Sequence, residues 1–70
     1  MRYDGLMSRS VALENGYYAA RPHDSAPWLI RNQDHRVVGH YTVEKGAQWG
    51  DLMNPADMEW LAALLKTKLA

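Results

Sequence analysis

Seventy residues carry eight basic and eight acidic side chains, three His and no Cys. A chain this short cannot support two cores, so a single domain over residues 1–70 is expected. Zero formal charge argues against a general binder of nucleic acid or anionic membrane, and the lack of Cys excludes a disulfide framework or a zinc finger.

Met1 to Arg9 show weak patterning and read as irregular. No apolar run of signal-peptide length follows Met1. The longest apolar stretch, Trp60 to Leu65, falls far short of the ~18 residues of a membrane span. An initiator Met and a helical end at Ala70 suggest a complete small protein, and the lack of Cys fits a cytoplasmic one without membrane contact.

From Ser10 the pattern alternates: Val11 and Leu13 point one way, Ala12 and Glu14 the other. Asn15-Gly16 follows, the pair that a type I′ hairpin turn favours because both central residues take positive φ. A two-residue turn sets Leu13 opposite Tyr18 and Val11 opposite Ala20. The alternative over 10–21 is a helix from about Ser8, terminated by Gly16, and then a strand. Pro22 to Pro27 reads as a loop.

Trp28 to Arg31 then reads as a strand, Asn32 to His35 as a tight turn, and Arg36 to Val43 as the partner strand. Pairing Arg31 with Arg36 sets Ile30 opposite Val37, Leu29 opposite Val38 and Trp28 opposite Gly39. The Trp28 indole would there shield the bare glycine backbone. Lys45 to Met53 reads as a connection.

A helix is predicted over 55–69. Asn54 suits the N-cap and Pro55 the first helical position, while Asp57 is placed to bond back toward the cap and to complement the dipole. Met58, Leu61, Ala62, Leu65 and Leu69 form one apolar stripe, and Lys66 and Lys68 sit at the C-terminal end, where cations are favoured.

These elements predict a small α+β fold: an antiparallel β-meander of three or four strands over 10–43, covered on one face by the C-terminal amphipathic helix. Trp28, Ile30, Val37, Tyr41 and Val43 would face the helix. Leu29, Arg31, Arg36, Val38, His40 and Thr42 would form the other face, which nothing within the chain can cover. Trp60 and Leu64 lie off the helical stripe. Either Trp49 and Trp60 close a small core at the helix start, or Trp60 is an aromatic anchor for a partner.

Catalytic groupings are thin. His23, Asp24 and Ser25 are consecutive, so their side chains diverge and cannot converge as a triad. His23, His35 and His40 lack the spacings of preorganised metal ligands. Asp51, Asp57 and Glu59 gather at the helix start for an electrostatic reason. Gly46 and Gly50 flank a Trp, with no phosphate-loop Lys beyond them. Neither an enzyme nor a bound cofactor or metal is expected.

A meander followed by a C-terminal helix, over residues 10–69, is similar in layout to the arm-site DNA-binding domains of tyrosine recombinases and to plant ethylene-response-factor domains. That resemblance implies a sheet laid in the major groove, with Arg21, Arg31, Arg36 and His40 reading bases and Tyr17 or Tyr41 adding packing. It rests on the order of elements. It departs in charge, since those domains are basic whereas Asp24 and Asp34 stand beside these arginines.

A neutral chain fits better a non-enzymatic module that binds a host protein or complex. Leu29, Arg31, Arg36, Val38, His40 and Trp60 are the expected contacts, and self-association through the same face belongs to this reading. In size and neutrality the chain resembles the small inhibitors that phages and mobile elements direct at host machinery, anti-CRISPR proteins among them.

Overall fold

The computed structural model describes residues 9–69. Five strands follow one another, β1 (Arg9–Ala12), β2 (Tyr18–Arg21), β3 (Trp28–Arg31), β4 (Val37–Thr42) and β5 (Gly46–Trp49), before the helix α1 (Pro55–Leu69). All four neighbouring pairs are antiparallel, in the order β1-β2-β3-β4-β5. The fold is the α+β meander with a C-terminal helix, but with five strands rather than three or four. The extra strand is β5, within the stretch that reads as a connection from sequence. Residues 1–8 of the segment expected to be irregular lie outside the described residues, and Arg9 already belongs to β1.

Residues 9–12 form a strand rather than a helix. Asn15 and Gly16 both take positive φ, 60° and 82°, and Tyr17 N donates to Glu14 O, as a type I′ turn requires. The ladder beyond the turn is nevertheless one residue away from the expected register. Leu13 N donates to Tyr17 O at 2.9 Å, so Leu13 and Glu14 both stand against Tyr17. This bulge absorbs one residue. Val11 therefore pairs with Ala19, and Ala12 with Tyr18.

The β3–β4 register differs from expectation by two residues, and each has a cause. His35 takes φ 66°, which adds a left-handed residue to the turn. The Asn32 side-chain oxygen accepts from the N–H groups of Asp34 and Arg36 and holds that turn together. A second irregularity lies between Ile30 and Arg31: Ile30 pairs with Gly39 and Arg31 with Val37, leaving Val38 as the unpaired extra residue. Trp28 consequently faces Tyr41 instead of Gly39. Shielding of Gly39 falls to Trp49, its partner on β5.

The bulge turns Val38 into the core, where it is 1% exposed. Val37 and Val43, expected on the helix side, are 42% and 72% exposed. Ala19, Ile30, Val38, Leu61 and Leu65 form the best-buried part of the core, with Tyr17, Trp28, Tyr41 and Met53 around them.

α1 begins as expected, with Asn54 Oδ1 accepting from Ala56 N at 3.0 Å. Asp57 does not bond back to the cap. Its Oδ2 accepts from the Tyr17 hydroxyl at 2.6 Å and its Oδ1 from Trp60 Nε1 at 2.9 Å. Trp60 also meets Tyr17 edge to face, with ring centroids 6.0 Å apart. The buried stripe keeps Met58, Leu61, Leu65 and Leu69 and is widened, since Trp60 and Leu64 are half-buried against the core rather than off it.

The Tyr17–Asp57 bond ties the first hairpin to the helix start. Burial, then the bond to Asp57 and its negative charge, push the Tyr17 hydroxyl up to about 12 from 10.0. The bonds from Tyr17 and then Trp60 hold the Asp57 carboxyl below its ordinary 3.8. A raised Tyr17 favours the fold fully below pH 10.0, and this contribution is lost as pH climbs through the folded value near 12. A depressed Asp57 favours the fold above pH 3.8 and ceases to do so as pH falls through its lower folded value. Tyr17→Phe is therefore expected to lower Tm by several degrees between these limits. Below and above them the two proteins converge, and the variant loses the phenolate absorbance step near pH 12; thermal melts and ultraviolet titration check both.

Candidate functional site

One helix covers one face of the sheet, and the alternation of each strand decides what the other face shows. Since Tyr17, Ala19, Trp28, Ile30 and Tyr41 are buried, their neighbours Tyr18, Ala20, Leu29, Arg31 and His40 point the opposite way. Two rows cross this outer face: Ala12–Tyr18–Arg31–Val37, and Ser10–Ala20–Leu29–His40–Gln48. Leu29 is half-buried between Ala20 and His40.

The polar side chains here are held in place. Arg31 Nη1 donates to His35 O at 2.7 Å, and the Tyr18 hydroxyl and His35 Nδ1 are hydrogen-bonded at 2.9 Å. The Tyr18 and His35 rings also meet edge to face at 5.8 Å. One turn residue, placed by its left-handed backbone, thus fixes side chains from two strands. His40 Nε2 donates to Gln48 Oε1 at 2.7 Å, across to β5. Arg36 ends the turn and is exposed.

Charge is segregated along the chain. Among the described residues, no strand contains Asp or Glu. Glu14, Asp24, Asp34 and Glu44 lie one in each connection between strands. Asp24 neutralises the other strand arginines: its Oδ1 is 3.3 Å from Arg9 Nε and 3.8 Å from Arg21 Nη2. Among the described residues, neither Arg31 nor Arg36 pairs with a carboxylate. A guanidinium fixed by a backbone carbonyl keeps further N–H donors for an outside acceptor.

Of the residues expected at a partner surface, Leu29, Arg31 and His40 lie together on the outer face, with Arg36 at its end. Val38 does not, because the bulge buries it. Trp60 is separate, on the helix side against Tyr17. The base-reading set changes too. Arg21 lies on the helix side with its guanidinium 4.3 Å from the Trp28 ring centroid, and Tyr17 and Tyr41 are core residues. Tyr18, His35 and Val37 join the outer surface instead. For Tyr18 a signal existed: Tyr17-Tyr18 in an alternating strand must send one ring to each face. No protein family, curated protein or solved structure matches the chain.

Proposed function

We propose that this protein is a non-catalytic protein-binding module that docks its helix-free sheet face on an acidic surface of another protein. The observation that carries the reading is the composition of that face. Leu29, Tyr18 and Val37 offer apolar and aromatic area, while among the described residues Arg31 and Arg36 offer guanidinium groups with no carboxylate partner and no strand supplies an acid. Arg and Tyr are the residue types that dominate binding hot spots, and Arg pairs bidentately with carboxylates. Order imposed by His35 reduces the entropy lost on binding.

A protein partner suits this surface better than DNA. Glu14 and Asp34 lie beyond one end of the strands and Glu44 beyond the other, so a duplex crossing the face meets carboxylates at both rims. Zero net charge adds little phosphate neutralisation.

Amide shifts of the labelled protein, followed during titration with a peptide of alternating Glu and Leu, test the reading. A random-sequence DNA duplex serves as the second probe. The peptide is expected to move Tyr18, Leu29, Arg31 and His40 while leaving the outer helix surface still. Arg31→Glu should weaken it roughly tenfold or more. Tighter binding of the duplex, falling steeply with salt, or peptide shifts located elsewhere, would overturn the proposal.

A further inference from the structure

β5 ends the sheet, and among the described residues no strand covers its outer edge. Edge strands are normally blunted by Lys, Pro, a bulge or a covering segment. Gly46-Ala47-Gln48-Trp49 contains no charge and no proline, and it pairs regularly with β4. Gly50 N donates to Val38 O at 2.9 Å, which fixes the phase of the ladder. By alternation His40–Gln48 is a hydrogen-bonded pair, whereas Tyr41–Ala47 and Gly39–Trp49 are not. The N–H and C=O groups of Ala47 and Trp49 therefore point away from the sheet. Among the described residues no hydrogen bond from another segment reaches them.

We infer that this edge pairs with the same edge of a second copy, antiparallel, with Gln48 on the two-fold axis. At this register Ala47 stands opposite Trp49 of the second copy, and each such pair exchanges both backbone bonds through the outward groups. Side chains match as well. The small Ala47 side chain faces the large Trp49 ring of the second copy, twice by symmetry. Moving the register by two residues either way loses the match: one shift stacks Trp49 on its own copy, the other stacks Ala47 on its own copy and leaves Trp49 facing no residue of the strand. A one-residue shift puts the outward groups out of phase.

The second copy is favoured over a foreign strand by this self-complementarity of size. Zero net charge removes self-repulsion, and a small core gains from added burial. The edge is distinct from the outer face, so the dimer stands or falls separately from the docking proposal. Pairing aligns the two outer faces in one continuous sheet.

Gln48→Cys is the most direct test, because the native chain has no cysteine. A non-hydrogen-bonded antiparallel pair places Cα atoms about 4.5 Å apart, inside the roughly 4.4–6.8 Å span of a disulfide. Mild oxidation is expected to link this variant rapidly into a dimer, while Ala63→Cys, on the exposed helix surface, stays mostly monomeric. In the unmodified protein, hydrogen exchange at Ala47 and Trp49 should slow as concentration rises from ~10 µM to ~1 mM, with Gln48 protected throughout. Equal cross-linking of the two cysteine variants would overturn the inference. So would exchange at Ala47 and Trp49 that is fast at every concentration, as foreign-strand capture would leave it.

Discussion

Leu61→Ala is expected to cost about 2–5 kcal/mol, the range for removing a fully buried leucine from a packed core. Leu61 has no exposed surface and lies among Tyr17, Ile30, Val38, Met53 and Leu65, where sheet meets helix. Alanine is the better helix former, so intrinsic propensity acts in the opposite direction and the loss must come from packing. A domain of this length is stable by only about 4–10 kcal/mol, so the substitution removes from about a fifth to all of that stability. Leu52→Ala is the matched control. That leucine is 55% exposed and its truncation should stay within about 0.5 kcal/mol. Chemical denaturation of the three proteins decides the matter. If Leu61→Ala melts like Leu52→Ala, the helix does not cover the sheet as described.

What the sequence made legible follows from how each element is specified. α1 was legible to the residue because its signals are local: the Asn54 cap, Pro55 behind it and a stripe at helical spacing. The Asn15-Gly16 and Asn32–His35 turns carried local signals too, whereas the turn between β4 and β5 did not. Registers were not legible, since an inserted residue needs no distinctive side chain. His35 in a left-handed conformation and Val38 at a bulge carry no mark that separates them from ordinary strand residues. The two insertions sum to an even shift, so Leu29, Arg31 and His40 kept their expected face although every partner changed. Val38 sits between the insertions and is the site residue that was misplaced. β5 was hidden because two glycines around one Trp look like a loop, and its extended form comes from pairing with β4 rather than from propensity.

The pair Gly39 and Trp49 gives the second large effect. A Cβ built on Gly39 lies 2.5 Å from Trp49 Cε3 and 2.7 Å from the backbone oxygen of Gln48. The ring is able to swing aside; the carbonyl belongs to the ladder that holds β5 to β4 and cannot. Gly39→Ala is therefore expected to destabilise by about 1–3 kcal/mol, toward the upper end because part of the contact is with backbone. Adding Trp49→Ala removes the ring but leaves the carbonyl contact. The double variant should thus be less destabilised than the sum of the singles, with a coupling of about 0.5–3 kcal/mol, yet still less stable than the parent. Gly46→Ala isolates a different mechanism. Gly46 takes φ 76° with nothing within 4 Å of an added Cβ, so its cost is conformational alone, about 1–2 kcal/mol. Denaturant melts with amide spectra distinguish the two: Gly39→Ala should disturb the β4–β5 ladder from Gly39 to Gly50, whereas Gly46→Ala should disturb only its turn. Full additivity of Gly39→Ala with Trp49→Ala would show that the indole does not lie over the glycine.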